Sequence, residues 1–282
     1  PGTDCYIRLL CSGCFHGCLL KTNPIQMFKR IVVDLTILAV SFFGTWYLLS
    51  QIRFISVEKR IEISLRQEEQ IGRMLKNLFT ADAEIIDDEV VESSIDEITS
   101  LLRNYLDTSK YTYRITIVEN SDINAFSLPG GYIIIYTGLI GFCEASEELA
   151  GVIAHEMGHN ENHDVLTRLA KNISITITLN SIFGGDNNKL GNLLQQVIST
   201  KFDRTQEERA DAFAVDLMLR CGINPDYLAQ FFERLLEQKP DILNQLDFLM
   251  THPADDKRVE AIRSHAEGKH FTEQPVRIKP AK

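Results

Sequence analysis

Hydrophobic positions follow three different rhythms along this chain. From Ile31 to Leu49 they run almost unbroken, with Asp34 the single charge. Nineteen helical residues at 1.5 Å each come close to the roughly 30 Å of a bilayer's hydrocarbon. The run therefore predicts a membrane-spanning helix, with Trp46 and Tyr47 at its far end like an interfacial belt. It is longer than a signal-peptide core, and no small-x-small cleavage site follows Ser50, so an uncleaved anchor is expected. Farther on, apolar residues at helical spacing predict amphipathic helices over 57–78 and 90–105, the second with Ile95, Ile98, Leu101 and Leu102 on one face. Alternation predicts strands over 111–119 and 132–136, with a turn at Pro129-Gly130-Gly131 between Asn124 to Leu128 and the second strand. Helices follow at about 190–199, 205–220, 225–238 and 254–266 after a loop over 184–188, while 173–179 alternates weakly and 268–282 reads as a polar tail. The expected fold class is α+β, mainly helical, with a small β-sheet and one preceding transmembrane helix.

Composition narrows the class of partner. A chain of 282 residues that is 44% hydrophobic can bury a full core. A net charge of −10, without a basic stripe of interleaved aromatics, argues against a nucleic-acid partner. Cys5, Cys11, Cys14 and Cys18 crowd residues 1–26, at unequal spacing that lacks the paired CxxC of a metal knuckle. This stretch is expected to be an extension outside the native protein, with Met27 as the natural start and residues 27–56 as the signal anchor.

The chemistry concentrates in His155-Glu-Met-Gly-His159. On a helix the two histidines stand one turn apart on one face, so both rings reach a single Zn²⁺. Glu156 lies about 100° round from His155 and about 60° from His159, placed to take a proton from water without filling a coordination position. Leu149, Val152, Ile153 and Met157 give this helix a core-facing stripe. Two histidines leave a catalytic zinc one protein ligand short. His163 shares the face of His159 but lies a further turn away, and the glycine turn that returns a third histidine in metzincins is absent. Glu207 and Asp211, four apart on one helix, offer another solution in which one carboxylate binds metal while the other accepts a ligand histidine's N–H; Glu208 lies one step away. His252, preceding Pro253, is pre-set to an extended backbone and is a candidate for presentation toward a cleft.

Five segments occur in order: Asn124-Ala-Phe-Ser-Leu-Pro-Gly-Gly-Tyr132, Thr137-Gly-Leu139, the HExxH run, Arg204-x-x-Glu-x-x-Ala-Asp211 and His252-Pro-x-x-x-x-Arg258. Together they resemble the HtpX, Oma and BepA type of membrane-associated gluzincin metallopeptidase, to which the CaaX prenyl-protein endopeptidases are more distant. The resemblance spans roughly residues 57 to 265. It implies a zincin-type domain over 57–267 with one Zn²⁺ per chain, held by His155, His159 and Glu207, with Glu156 as general base. His252 then stabilises the oxyanion or caps the metal, and Asp211 and Arg258 support the ligands. Asp203 departs from the small serine common before this arginine. The apolar run predicts a single-pass membrane protein that engages the bilayer through Ile31 to Leu49, the resemblance implies a catalytic domain outside the cytoplasm, and recognition through an edge strand favours unfolded or misassembled proteins as substrate. Asn124, Ala125, Phe126 and Ser127 are expected to form an exposed edge strand that binds extended substrate. The competing reading is an envelope chaperone or assembly factor that binds proteins in the same cleft with little turnover.

Overall fold

The computed structural model describes residues 24–51, 64–106, 109–172, 201–238 and 247–273. The four-cysteine segment, the weak alternation at 173–179, the loop at 184–188 and the helix expected at 190–199 all lie outside the described residues, as does the start of the helix expected from Val57. The chain divides into two compact units, Pro1–Arg60 and Ile61–Lys282.

In the first unit a 28-residue helix, α1 (Pro24–Gln51), carries exposed apolar side chains along its length, among them Leu35, Leu38 and Phe42. Among the described residues no helix is long and apolar enough to cross a membrane.

The second unit is mainly helical around a three-stranded sheet. Helices α2 (Leu65–Thr80) and α3 (Glu89–Asn104) precede strands β1 (Arg114–Val118), β2 (Ala125–Leu128) and β3 (Tyr132–Tyr136). Ser64 caps α2 in a reciprocal box with Gln67, and Asp88 accepts from two amides at the head of α3. The sheet order is β1-β3-β2, with β1 parallel and β2 antiparallel to the central strand. β3 is buried on both faces, and its period-2 alternation divides the core. Ile133 and Ile135 face one cluster with α3 and α5; Tyr132, Ile134 and Tyr136 face a second with Ile71, Leu75, Val165 and Phe202. The glycines of the Pro-Gly-Gly turn take φ of 76° and 85°, which side chains disfavour. Gly72 lets α2 lie directly on that turn, because a Cβ there would meet the Pro129 carbonyl oxygen at an impossible distance.

After β3 come α4 (Thr137–Phe142), α5 (Ser146–Glu161), α6 (Asp164–Asn172), α7 (Arg204–Arg220), α8 (Asp226–Glu237), α9 (Asp247–Thr251) and α10 (Asp256–Ala266). The broad helix expectations for 205–220, 225–238 and 254–266 match α7, α8 and α10 within a residue or two. The short α4 has too few residues to announce itself by periodicity. α5 runs through the core between the sheet and α7, with every residue from Glu148 to Asn160 buried. Where it meets α7, a Cβ built on Gly158 would come 3.0 Å from Ala210 Cα and 3.1 Å from its carbonyl oxygen. Two small residues thus set the separation of these helices.

α8 is tied to α5 by an ion pair between a partly buried arginine and a buried carboxylate: Arg234 donates to both oxygens of Glu148, at 2.8 and 2.6 Å, and its guanidinium lies 4.8 Å from the Phe142 ring centroid. Removing one partner of such a pair leaves an uncompensated buried charge, at a cost of about 3 kcal/mol or more. Arg234→Ala is therefore expected to lower the melting temperature by roughly 10 °C. Pairing it with Glu148→Leu should restore most of that loss in the same thermal scan.

Candidate metal centre

The centre is assembled from α5, α7 and the short α9. His155 and His159 project from one face of α5, Glu207 from the first turn of α7, and His252 from the residue following α9. α7 starts sharply because Asp203 caps it in a reciprocal box with Gln206, which fixes the position of Glu207 one residue on. His252 is held by its own amide, which donates to the Phe248 carbonyl at 2.7 Å. One donor atom from each of the four lies within 4.8 Å of the rest, and all four are buried.

Their separations match a tetrahedral ion. Bonds of about 2.0–2.2 Å to zinc place the corners of a tetrahedron roughly 3.3–3.6 Å apart. His155 Nε2 lies 3.1 Å from His159 Nε2 and 3.3 Å from His252 Nδ1. The Glu207 carboxylate lies 3.5 Å from each α5 histidine Nε2 and 3.0 Å from His252 Nδ1. Three nitrogens and a carboxylate converging at these distances form a donor set suited to Zn²⁺.

The rings are fixed from behind. His155 Nδ1 faces Asp211 Oδ1 at 2.9 Å, and Arg258 holds Asp211 through Nε and NH2 at 2.6 and 2.8 Å while also pairing with Glu207. Phe202 stacks on His159 with centroids 3.7 Å apart, and Phe248 stacks on His252 at 4.5 Å. Burial alone would lower the basicity of His155, but Asp211 and Glu207 raise its pKa to about 9. Burial works against charge on Glu207, yet the facing His252 ring and Arg258 hold its carboxyl well below the usual range. Arg258 overcomes the same opposition at Asp211. Glu156 is fully buried beside the cluster. Its Oε1 lies 3.3 Å from His252 Nε2, but neither of its oxygens has a hydrogen-bond partner among the described residues. A buried acceptor without a donor fits a carboxylate placed to engage water.

Of the expected site residues, the structure gathers His155, Glu156, His159, Glu207, Asp211, His252 and Arg258. Glu208 stays at the surface in an i,i+4 pair with Arg204. His163 does not reach the cluster: α5 ends at Glu161, and His163 turns the chain at a φ of 55°, its Nδ1 2.9 Å from the Tyr111 hydroxyl. The expectation for β2 is corrected in one respect. It is an edge strand, pairing with β3 alone among the described strands, but Asn124, Ala125, Phe126 and Ser127 are at most 3% exposed. These residues are buried because the two faces of the strand pack into the two cores. Sequence reading missed Asp164, Phe202 and Arg168. Asp164 lies beyond the helix break, where periodicity no longer assigns a face, and an aromatic before a cap carries no signal of its own. Arg168 is buried with its guanidinium 3.9 Å from the Phe202 centroid, and it feels the charges of Glu156, Glu207 and Asp164.

A histidine pair on one helix, a carboxylate from a second and a buried glutamate beside them define a metallopeptidase centre. The profile of Peptidase family M48 matches residues 89–266, and the chain belongs to that family of metallopeptidases. It is 26% identical over 219 residues to the Escherichia coli (strain K12) beta-barrel assembly-enhancing protease, covering 72% of this chain and 45% of that protein. It is 29% identical over 177 residues to the metalloprotease LoiP of the same strain (59% and 67%), and 25% identical over 201 residues to the Arabidopsis thaliana mitochondrial metalloendopeptidase OMA1 (71% and 40%). The chain thus spans less than half the length of the first and third of these relatives.

Glu207→Ala is expected to strip most of the metal from the purified protein, whereas His163→Ala should keep it. Elemental analysis after dialysis reads both. Retention in the first variant with loss in the second would reverse the ligand assignment.

Proposed function

We propose that the chain is a zinc-dependent endopeptidase in which His155, His159 and Glu207 hold the ion and Glu156 is the general base. The observation that carries this reading is the fully buried Glu156 carboxylate, 3.3 Å from His252 Nε2, beside four converging donor atoms. A bound zinc supplies Lewis acidity and brings the pKa of water toward neutrality. Glu156 accepts the water's proton on a carboxylate oxygen as the peptide carbonyl is attacked, then returns it to the leaving amine. Arg258 and Asp211 keep the His155 ring oriented. In the state described, His252 Nδ1 sits at the fourth corner of the donor set and its Nε2 faces Glu156. We take this as a capped resting state, with His252 moving off to admit water and then facing the developing oxyanion.

Substrate is proposed to be an extended chain, as unfolded or misassembled proteins provide. Asn124 O accepts from Tyr136 N, so by antiparallel alternation Phe126 and Leu128 bond to β3 while Ala125 and Ser127 turn their N–H and C=O groups to the outer edge. A substrate strand pairing there displaces whatever covers the edge. The names of the relatives, an assembly-enhancing protease and a mitochondrial metalloendopeptidase, support a role in protein quality control at a membrane or envelope. The peptidase domain is assigned to 57–267 and the tail to 268–282.

With full-length protein in detergent and an unfolded casein substrate, Glu156→Gln should keep its zinc and lose at least about 100-fold in kcat. Ser127→Pro should raise KM with zinc content unchanged. Hydrolysis that survives Glu156→Gln would remove Glu156 from the chemistry. Zinc-loaded wild type that binds casein without cutting it would favour the chaperone reading.

Membrane attachment through α1 is proposed as well. The run from Ile31 to Leu49 holds one charge, and it extends past the residues whose side chains are described. Ile31, Leu35, Leu38 and Phe42 are 48–66% exposed. Protein expressed from Met27 should stay with membranes through carbonate extraction, held by apolar area rather than charge. Release by carbonate, or a product trimmed near Ser50, would contradict an anchor.

A further inference from the structure

His159 is oriented by a carboxylate that the ligand pattern does not contain. Asp164 opens α6 just past the turn at His163, and it is fully buried. Its Oδ2 lies 3.0 Å from His159 Nδ1. Its other oxygen, Oδ1, accepts from Arg209 NH2 at 2.6 Å and from Gln206 Nε2 at 3.3 Å. Gln206 and Arg209 flank Glu207 on α7, so the helix that contributes a metal ligand also holds the carboxylate behind a second one.

We propose that Asp164 is a positioning residue that fixes the tautomer of His159, with Arg209 fixing the orientation of Asp164. The inference rests on the reading that His159 binds metal through Nε2. An imidazole that binds through Nε2 carries its proton on Nδ1, and a carboxylate against Nδ1 holds the proton there. Arg209 has donors and no acceptor, so only an oxygen can face it. In Asp164→Asn the amide oxygen must therefore turn to Arg209 and the amide nitrogen to His159. That places a donor against Nδ1 and forces the ring proton onto Nε2, where it blocks the metal.

The consequence is an unusual order of severity. If Asp164 served packing alone, the isosteric Asn would be milder than Ala in every respect. A tautomer-fixing role makes Asn milder for folding and at least as damaging for metal binding. Zinc affinity of the full-length protein in detergent is measured by competition with a chelating dye, together with the melting temperature of the metal-free form. Asp164→Ala should weaken zinc binding about 10- to 100-fold. Asp164→Asn should weaken it by at least as much while melting closer to wild type. Adding Arg209→Ala to Asp164→Asn frees the amide to flip and should recover part of the affinity, although Arg209→Ala alone gains none.

Asp164→Asn binding zinc more tightly than Asp164→Ala, with no recovery in the double variant, would overturn the proposal. Should the Asn variant fail to fold, a loss of less than about threefold in Asp164→Ala does the same. His159→Ala, measured alongside, separates the two layers: wild-type zinc affinity there would sink the metal assignment itself, and Asp164 with it.

Discussion

Gly158 meets Ala210 so closely that an added Cβ would lie 3.0 Å from the α7 backbone, and the functional geometry follows from that contact between α5 and α7. Helices this close bring the first turn of α7 under the histidine face of α5. The Glu207 carboxylate can then reach both imidazoles, lying 3.5 Å from each Nε2. Asp211, one turn on, meets His155 from behind, and Gln206 and Arg209 reach the carboxylate behind His159. One additional methyl group at Gly158 would push against the α7 backbone, which cannot rotate away. The glycine inside the HExxH run therefore has a packing role that the metal pattern alone does not reveal.

Charge balance is the second constraint. Glu156, Asp164, Glu207 and Asp211 are four carboxylates at most 5% exposed, facing the guanidinium groups of Arg168, Arg209 and Arg258. Burying carboxylates without compensation is costly, and the three guanidinium groups together with the His155 imidazole offset it. The same electrostatics hold the Glu207 and Asp211 carboxyls below their usual range. Stacked phenylalanines complete the arrangement by shielding the rings of His159 and His252 without competing for their nitrogens. Stability and chemistry draw here on the same contacts.

How much of this was readable in the sequence differs from residue to residue. His155, Glu156 and His159 were legible because a helix converts spacing into direction, and Glu207 with Asp211 for the same reason. Pro129-Gly130-Gly131 announced its turn through the left-handed backbone that only glycine adopts easily. Asp164 was not legible, because the positive φ of His163 breaks the helix and resets the direction of every side chain after it. Ser127 could be placed on an edge strand, but the packing of both faces of β2 depends on α2, α5 and other distant elements. Phe202 and Phe248 are ordinary apolar positions until the fold lays them on histidine rings. Local periodicity thus carried the ligands, and tertiary packing decided what holds them.

In the proposed resting state one zinc ion sits among His155, His159 and Glu207, with His252 as its cap. X-ray absorption at the zinc edge, on the full-length protein as purified, tests it most directly. The expected spectrum is a four-coordinate shell of nitrogen and oxygen at about 2.0 Å with the multiple scattering of three histidine rings. Sulfur at about 2.3 Å, or a six-coordinate shell with one ring or none, would contradict it.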